Sequence, residues 1–431
     1  MLLNITIENF RSYNAAQTLS LIASENNGIN SAKIGDLEVR KSAVIYGANA
    51  SGKSNIIKSL LCLVDIVAGG IPTPDQFHGR PILMQKLYKT FFDKPEPTFI
   101  SVDFSVGDIV YNYSLRYDSQ LIHYEALSDT SNNDADVVIF ERSLTNKDLL
   151  SYKYNFESTS YDYIFSNEQM PYANDTIGKL KVNTPANLTL LTKLVGENCQ
   201  KIKTITDYFQ FGLVIRTNPY GVIGRPLFAE ADLNNAANHA RDVNYANKSL
   251  EALNNIGVKV DKLDIEYNDN NLLVGERLNQ VRNITSYYNL DGNTHQLSFF
   301  SDESDGTQKF YSYLNLIDYI IKVNGVLIVD ELETHFHPLL VEEIIRAVHN
   351  SNSRAQLIFT THNPTLLTDS IFERDQIYFA DKNDKLATEL YSLADFNDLD
   401  ANSNLMAKYL AGRFGAIPYL NAFTFNGGNN G

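Results

Sequence analysis

Cysteine is scarce in this sequence, with only Cys62 and Cys199 among 431 residues. Two cysteines are too few for a disulfide framework or a zinc cluster, and a reducing cytoplasm fits them. The sequence also has no apolar stretch long enough to span a membrane. Its beginning lacks the basic region and long apolar run of a signal peptide. We therefore expect a cytoplasmic protein that does not associate with a membrane.

Basic residues are outnumbered, since 36 Lys and Arg stand against 51 Asp and Glu and leave a net charge of −15. This balance argues against a basic surface for non-specific DNA binding. It leaves open a local basic groove or an interface with a basic partner. Internal repeats and sustained heptads are missing too, so a long coiled-coil arm is not expected. The length is sufficient for two or three lobes with a large core.

Residues 47–54 read Gly-Ala-Asn-Ala-Ser-Gly-Lys-Ser and fit the phosphate-binding pattern G-x-x-x-x-G-K-[ST]. An apolar run precedes the pattern and a helical one follows it, which disfavours a chance match in a loop. Such loops turn backbone N–H groups toward ATP or GTP phosphates at a helix N-terminus. Lys53 is predicted to reach the β- and γ-phosphates, and the Ser54 hydroxyl to ligate Mg²⁺. The predicted nucleotide contacts in this segment are Gly47, Ala48, Asn49, Ala50, Ser51, Gly52, Lys53, Ser54 and Asn55.

Residues 326–329 form a continuous apolar run that ends in Asp330 and Glu331. A fully apolar strand is typical of a parallel sheet covered by helices on both faces. Asp330 is predicted to hold Mg²⁺, directly or through water, and Glu331 to orient and polarise the attacking water. The alternative is a solvated turn, which the phosphate loop in the same chain disfavours.

Two further motifs fit either a role in nucleotide binding or a purely structural role. Residues 304–306, Ser-Asp-Gly, open a helical pattern whose N-terminal N–H groups suit a γ-phosphate, although by themselves they indicate an N-capped surface helix. His362 follows the apolar run 356–361, at the end of a predicted strand where α/β sheets bind ligands. A lone histidine is more often structural. Their positions relative to the acidic pair favour the nucleotide site in both cases.

The remaining sequence predicts strands and helices between these two groups of motifs. Alternation in 98–104 and 108–117 predicts an antiparallel hairpin. Further elements are expected in 124–140 (one or two strands), 186–211 and 232–256 (helices) and 258–267 (a strand). Residues 145–175 are dense in Tyr, Asn, Ser and Asp, a composition that indicates an exposed segment.

In this order the motifs resemble the ABC-type ATPase heads of the SMC and RecF group. The resemblance is carried by Asn9-Phe10-Arg11-Ser12, the phosphate loop, Ser304-Asp305-Gly306-Thr307, Asp330-Glu331 and Thr361-His362-Asn363-Pro364. Residues 333–338 resemble the D-loop of that group. Within the group the chain is similar to bacterial abortive-infection and overcoming-lysogenization (OLD) ATPases, such as RloA, AbiL or the ATPase of the PARIS anti-phage system. Residues 409–418 resemble a C-terminal motif of that set.

The resemblance implies an α/β fold, an ABC-type P-loop ATPase head. A mixed central sheet with flanking helices and an antiparallel β lobe would carry an inserted α+β or helical lobe. The expected domains are residues 1–118 (N-terminal half of the head), 119–285 (inserted lobe), 286–395 (C-terminal half) and 396–431 (tail).

Such heads bind two ATP molecules, with Mg²⁺, between two chains arranged head to tail. The resemblance implies that Ser304 and Gly306 of one chain contact the γ-phosphate held by Lys53 of the other. His362 would contact the same phosphate and report its hydrolysis. It also implies that Arg11 contacts phosphate near the first strand.

Three features depart from that pattern or leave it incomplete. The segment Ser304-Asp305-Gly306-Thr307 is a degenerate form of the signature motif of that group, and Asp305 stands where the motif has its first glycine. This departure implies that turnover is slow, or that bound ATP serves mainly to hold an assembly together. Gln85 is the candidate for the glutamine of the Q-loop. His335 and His337 lie two residues apart without evident partners, which favours a place in the D-loop over a metal site.

Three functions compete for this sequence. The first is an ATPase, a homodimer or larger oligomer, that controls a separate nuclease or toxin effector during phage infection, with a phage protein as a possible trigger. Proteins of the OLD type carry a TOPRIM nuclease after the ATPase, and fewer than forty residues follow Asp395 here. The second is a DNA-repair ATPase that clamps DNA ends, which the negative charge disfavours. The third, a transporter subunit, is disfavoured by the Asn-Phe-Arg opening and the altered signature.

Overall fold

The computed structural model describes residues 1–71, 92, 96–132, 136–145, 160–166, 180, 184–195, 199–217, 243–267, 281–400 and 403–418. Gln85, the candidate for the Q-loop, lies outside these residues. Across the described part of the chain, none of the helices combines the length and apolar character that crossing a bilayer requires.

The strands and helices alternate irregularly along the chain. The strands are β1 (Leu2–Glu8), β2 (Gln17–Ser20), β3 (Ser31–Ile34), β4 (Leu37–Arg40), β5 (Ser42–Tyr46), β6 (Thr98–Val106), β7 (Ile109–Tyr117), β8 (Ile122–Asp129), β9 (Val137–Leu144), β10 (Tyr161–Phe165), β11 (Leu213–Arg216), β12 (Lys262–Tyr267), β13 (Val281–Leu290), β14 (Asn293–Ser298), β15 (Val326–Val329), β16 (Gln356–Thr360), β17 (Ile377–Lys382) and β18 (Thr388–Ser392). The helices are α1 (Lys53–Gly69), α2 (Leu190–Leu194), α3 (Gln200–Asp207), α4 (Val243–Asn255), α5 (Phe299–Asp302), α6 (Asp305–Val323), α7 (Pro338–His349) and α8 (Leu405–Leu410).

A six-stranded sheet with the order β11-β15-β16-β5-β17-β18 forms the centre of the fold. All neighbouring strands are parallel except β18, which runs antiparallel to β17. Every residue of β5, β15 and β16 is buried, as their continuous apolar runs predict for strands covered on both faces. Along β5, Ala43 and Ile45 join one hydrophobic cluster with α1, while Val44 and Tyr46 join another with α6 and α7. The predicted mixed central sheet with flanking helices is confirmed.

A seven-stranded antiparallel sheet, ordered β10-β9-β8-β7-β6-β1-β2, packs against the first of these clusters. The predicted hairpin is confirmed as β6 and β7, and the strands expected in 124–140 are confirmed as β8 and β9. Gln356 joins the two sheets, because its buried side chain accepts from Leu2 N at 2.6 Å and donates to Leu2 O at 2.9 Å. The predicted domain boundary at residue 118 falls between β7 and β8, two paired strands of one sheet.

The residues predicted as an inserted lobe contribute to both sheets. β8 to β10 extend the antiparallel sheet, and β11 forms one edge of the central sheet. The helical pattern in 186–211 becomes two short helices, α2 and α3, followed by a π-helical turn at Tyr208–Gly212. Of the helix expected in 232–256, the described part is α4, and its predicted beginning lies outside the described residues. β12 to β14 form a separate three-stranded sheet.

Candidate nucleotide site

The phosphate loop leaves the carboxyl end of β5 at the middle of the central sheet and enters α1. Two of its glycines are required by close approach of other segments. A Cβ on Gly47 would lie 2.4 Å from the Ala380 carbonyl oxygen, and one on Gly52 would lie 2.2 Å from Thr388 Oγ1. Gly52 also has a φ of +112°, which a residue with a side chain rarely adopts. The backbone of the loop is therefore packed closely against Ala380 and Thr388, and its two glycines leave no room for side chains.

Lys53 begins α1 with its ammonium group turned back onto the loop. Lys53 Nζ donates to Gly47 O at 2.7 Å and to Ala48 O at 2.9 Å. Burial lowers the pKa of Lys53 to about 8, against the opposing effect of the nearby Asp330 and Glu331 carboxylates. A poorly solvated cation held by two carbonyls gains much from a phosphate oxygen, because a charged acceptor forms the stronger hydrogen bond.

Ser54 and Asp330, which are 276 residues apart in sequence, meet at the same edge of the sheet. Ser54 Oγ donates to Asp330 Oδ1 at 2.8 Å, and Thr360 Oγ1 donates to the same oxygen at 2.7 Å. A hydroxyl and a carboxylate are the hard oxygen ligands that Mg²⁺ prefers, and Mg²⁺ usually keeps several waters and the nucleotide phosphates besides. The pair fits a magnesium ion bound next to the phosphate loop. Within the described residues, no group of three His, Cys, Asp or Glu side chains forms a metal cluster.

Glu331 and His362 lie side by side at the carboxyl ends of β15 and β16. His362 Nε2 is 3.9 Å from Glu331 Oε1, and the two side chains are 36% and 43% exposed. Glu331 has a φ of +53°, and Thr360 Oγ1 accepts from its N–H at 2.8 Å. Burial and the Lys53 charge lower the pKa of His362 from its ordinary value of 6.5, so its imidazole is neutral at pH 7. The pair faces solvent beside the loop.

Glu333 holds the backbone of His362 in place, a contact that the motifs did not reveal. Its Oε1 accepts from His362 N at 2.6 Å. The only sign of this contact in the sequence is that Glu333 is acidic and lies two positions after Glu331, in the segment that resembles a D-loop. Spacing alone does not show that its carboxylate reaches the neighbouring strand.

The signature residues Ser304 and Gly306 lie at the N-terminus of α6. Ser304 caps α6 by accepting from Thr307 N at 3.1 Å, and it is exposed. A Cβ on Gly306 would lie 3.1 Å from the His335 carbonyl oxygen, so this helix end packs on the segment after Glu331. Among the described residues, no hydrogen bond joins Ser304 or Gly306 to residues 47–54.

Asn55 follows the loop directly in α1, and Arg11 lies near Lys58 and Cys62 of the same helix. Arg11 is 9% exposed, has a φ of +51°, and its pKa is lowered by burial. Asn55 Nδ2 donates to Ser12 Oγ at 2.7 Å. The side chain of Asn55, a predicted nucleotide contact, is therefore directed toward the segment Asn9-Phe10-Arg11-Ser12. Ser12 and Thr388 touch the loop as well, and of these two only Ser12 lies in a recognisable motif.

A protein-family model described as "AAA domain, putative AbiEii toxin, Type IV TA system" matches residues 42–368. A comparison with curated proteins found no match. Three solved structures are similar over 91% of this chain and 96–98% of theirs. They are an SMC head bound to the C-terminal winged-helix domain of ScpA (13% identity, TM-score 0.39), an SMC head domain from Thermotoga maritima (12%, 0.36), and an Smc head domain with an extended coiled coil, bound to the C-terminal domain of ScpA derived from Pyrococcus furiosus (11%, 0.40).

Proposed function

Because this chain belongs to that AbiEii-type family of AAA domains, we propose that it binds and hydrolyses ATP at residues 47–54. The observation that carries the proposal is the meeting of Lys53, the Ser54–Asp330 pair and Glu331 at one edge of the central sheet. These groups follow the carboxyl ends of two different strands, β5 and β15. Phosphoryl transfer depends on such positioning and on charge neutralisation more than on covalent chemistry.

Each group has a proposed role that follows from its position. The N–H groups of residues 47–52 and the Lys53 ammonium hold the phosphates, and Ser54 and Asp330 hold Mg²⁺. The ion would neutralise charge on the phosphates. Glu331 orients and polarises the attacking water, and neutral His362 donates its ring N–H to the γ-phosphate. Arg11 has the proposed role of contacting phosphate near the first strand.

The exposure of Glu331 and His362 supports a site completed by a second chain. Hydrolysis requires a closed site, because a reacting phosphate and an ordered water must be shielded from bulk solvent. The two side chains remain 43% and 36% exposed in the single chain. A second copy would cover them and bring Ser304 and Gly306, which stand exposed or half-exposed on α6, to the γ-phosphate. The proposed assembly is a homodimer with two shared ATP sites.

Mixing two inactive variants tests whether the site is shared between chains. Lys53→Ala removes the ammonium, and Ser304→Glu places a carboxylate against the γ-phosphate, so each variant alone should lose ATP turnover. In a mixed dimer one of the two composite sites regains both groups. Random pairing of a twofold dimer then restores at most about a quarter of the wild-type rate, measured by phosphate release.

The matched control mixes Lys53→Ala with Glu331→Gln. Both residues belong to the same chain's half of the site, so every composite site in that mixture carries one defect. No activity should return. Equal recovery in both mixtures, or none in either, contradicts a signature that acts across the interface.

We also propose that the ATP-dependent assembly controls a separate toxin or nuclease effector during phage infection. The description of the family, which names a toxin and a toxin–antitoxin system, supports this role. Cells that carry the chain with its neighbouring genes should form fewer phage plaques, and Lys53→Ala should abolish the protection. Growth arrest caused by the chain alone would instead make this protein the toxin. Salt-sensitive, ATP-dependent DNA binding would favour the DNA-clamping function.

A further inference from the structure

A chain of three side-chain hydrogen bonds lies directly behind the phosphate loop. Asn55 Nδ2 donates to Ser12 Oγ at 2.7 Å, Ser12 Oγ and Thr388 Oγ1 are 2.8 Å apart, and Thr388 Oγ1 donates to Ser51 O at 2.7 Å. Ser12 and Thr388 are buried, at 1% and 2% exposure. Thr388 begins β18, and its N–H donates to Ser12 O at 2.7 Å. The loop is therefore braced from β18 and from the turn after β1.

Thr388 is the donor in both of its side-chain hydrogen bonds in this chain. The Ser51 carbonyl can only accept, and it shares the single hydroxyl hydrogen of Thr388 with Ser12 Oγ. Ser12 Oγ also accepts from the Asn55 amide. Such a buried network holds its members in one arrangement.

The orientation of the Ser51 carbonyl decides where the next N–H points. In a planar trans peptide, the C=O and the following N–H point in opposite directions. Because Thr388 holds Ser51 O toward β18, the Gly52 N–H points away from β18. We expect the phosphates on that side of the loop, with Lys53. Among the described residues, no acceptor takes this N–H.

We propose that Thr388 is a positioning residue for nucleotide binding, which aims the Gly52 N–H at the phosphates by holding the Ser51–Gly52 peptide. The fit is close, since a Cβ on Gly52 would lie 2.2 Å from Thr388 Oγ1 and 2.9 Å from Ser12 Oγ. Both hydroxyls lie outside residues 42–368, the part that the family model matches. The inference rests on the proposed binding of ATP at this loop.

Thr388→Val tests the inference, because valine keeps the shape and removes the hydroxyl. It leaves Ser51 O without its donor, so the affinity for a fluorescent ATP analogue should fall about tenfold. The KM for ATP should rise by a similar factor with little change in kcat, since the lost N–H contact binds substrate and transition state alike. Thr388→Ser restores the hydroxyl and should bind within about threefold of wild type.

Thr206→Val is the matched control. Thr206 is equally buried, and its hydroxyl donates to Ile202 O within α3, at 2.9 Å. This variant should change the melting temperature and leave ATP affinity unchanged. If Thr388→Val fails to fold, Ser12→Ala removes the middle of the same chain and should also weaken ATP binding.

The outcomes separate this inference from the proposed function. Wild-type protein that binds no ATP overturns the proposed function and this inference with it. Wild-type protein that binds ATP, beside a folded Thr388→Val variant of equal affinity, overturns the inference alone. Equal losses in Thr388→Val and Thr388→Ser also overturn it, because the hydroxyl would then be irrelevant.

Discussion

Lys53→Ala is expected to lose ATP binding and to reduce ATP turnover by about two to three orders of magnitude, the effect of removing one principal charge-stabilising donor. Lys53 is the only cation that the loop itself supplies, and its Nζ already lies 2.7 Å from Gly47 O. Without it, the loop would offer only neutral donors to the phosphate charge. Isothermal titration calorimetry with ATP measures the loss of binding, and a phosphate-release assay measures the loss of turnover.

Lys203→Ala is the control for Lys53→Ala. Lys203 lies exposed on α3, so the same substitution there should change neither ATP affinity nor turnover. Circular dichroism should show both variants folded. ATP binding by Lys53→Ala at wild-type affinity would place the nucleotide somewhere other than residues 47–54.

Glu331→Gln is expected to keep ATP binding and to lose hydrolysis by about 100-fold or more, the size of a general-base contribution. Glutamine keeps the shape of the side chain but has no negative charge to polarise the attacking water. The backbone of residue 331 stays in place, because its N–H donates to Thr360 Oγ1 at 2.8 Å. Single-turnover hydrolysis and ATP titration separate the two effects.

The same variant reports on assembly. If ATP closes a dimer and hydrolysis opens it, Glu331→Gln should remain dimeric with ATP, as measured by mass photometry. Glu343→Gln, an exposed change on α7, should behave as wild type in both assays. If Glu331→Gln hydrolysed ATP at the wild-type rate, the role proposed for Glu331 would be wrong.

Local sequence patterns were sufficient for the elements around the site. The run 326–329 was predicted as a buried strand, and β15 is buried throughout. The glycine–lysine loop was predicted between a strand and a helix, where β5 and α1 now flank it. Both predictions depend on interactions within a few residues, which a sequence displays directly.

The middle of the chain was harder to predict, because its strands depend on partners far away in sequence. β11 has only four residues and is defined by pairing with β15, more than a hundred residues later. The helical pattern in 186–211 breaks into α2 and α3, since short amphipathic segments acquire their limits from packing. Strand pairing of this kind leaves a weak signal in any one window.

The sequence by itself determined that this protein has a phosphate loop, an acidic pair after an apolar strand and a histidine after the next one. Only the tertiary structure brought Ser54 to 2.8 Å from Asp330, showed Glu333 on the His362 backbone, and placed Thr388 behind Gly52. Motifs are visible in sequence because their residues act through local backbone geometry. The residues that hold these motifs in place are not visible in sequence. A threonine at the start of an edge strand, such as Thr388 in β18, shows no distinguishing pattern, because only the folded sheet brings it against the loop.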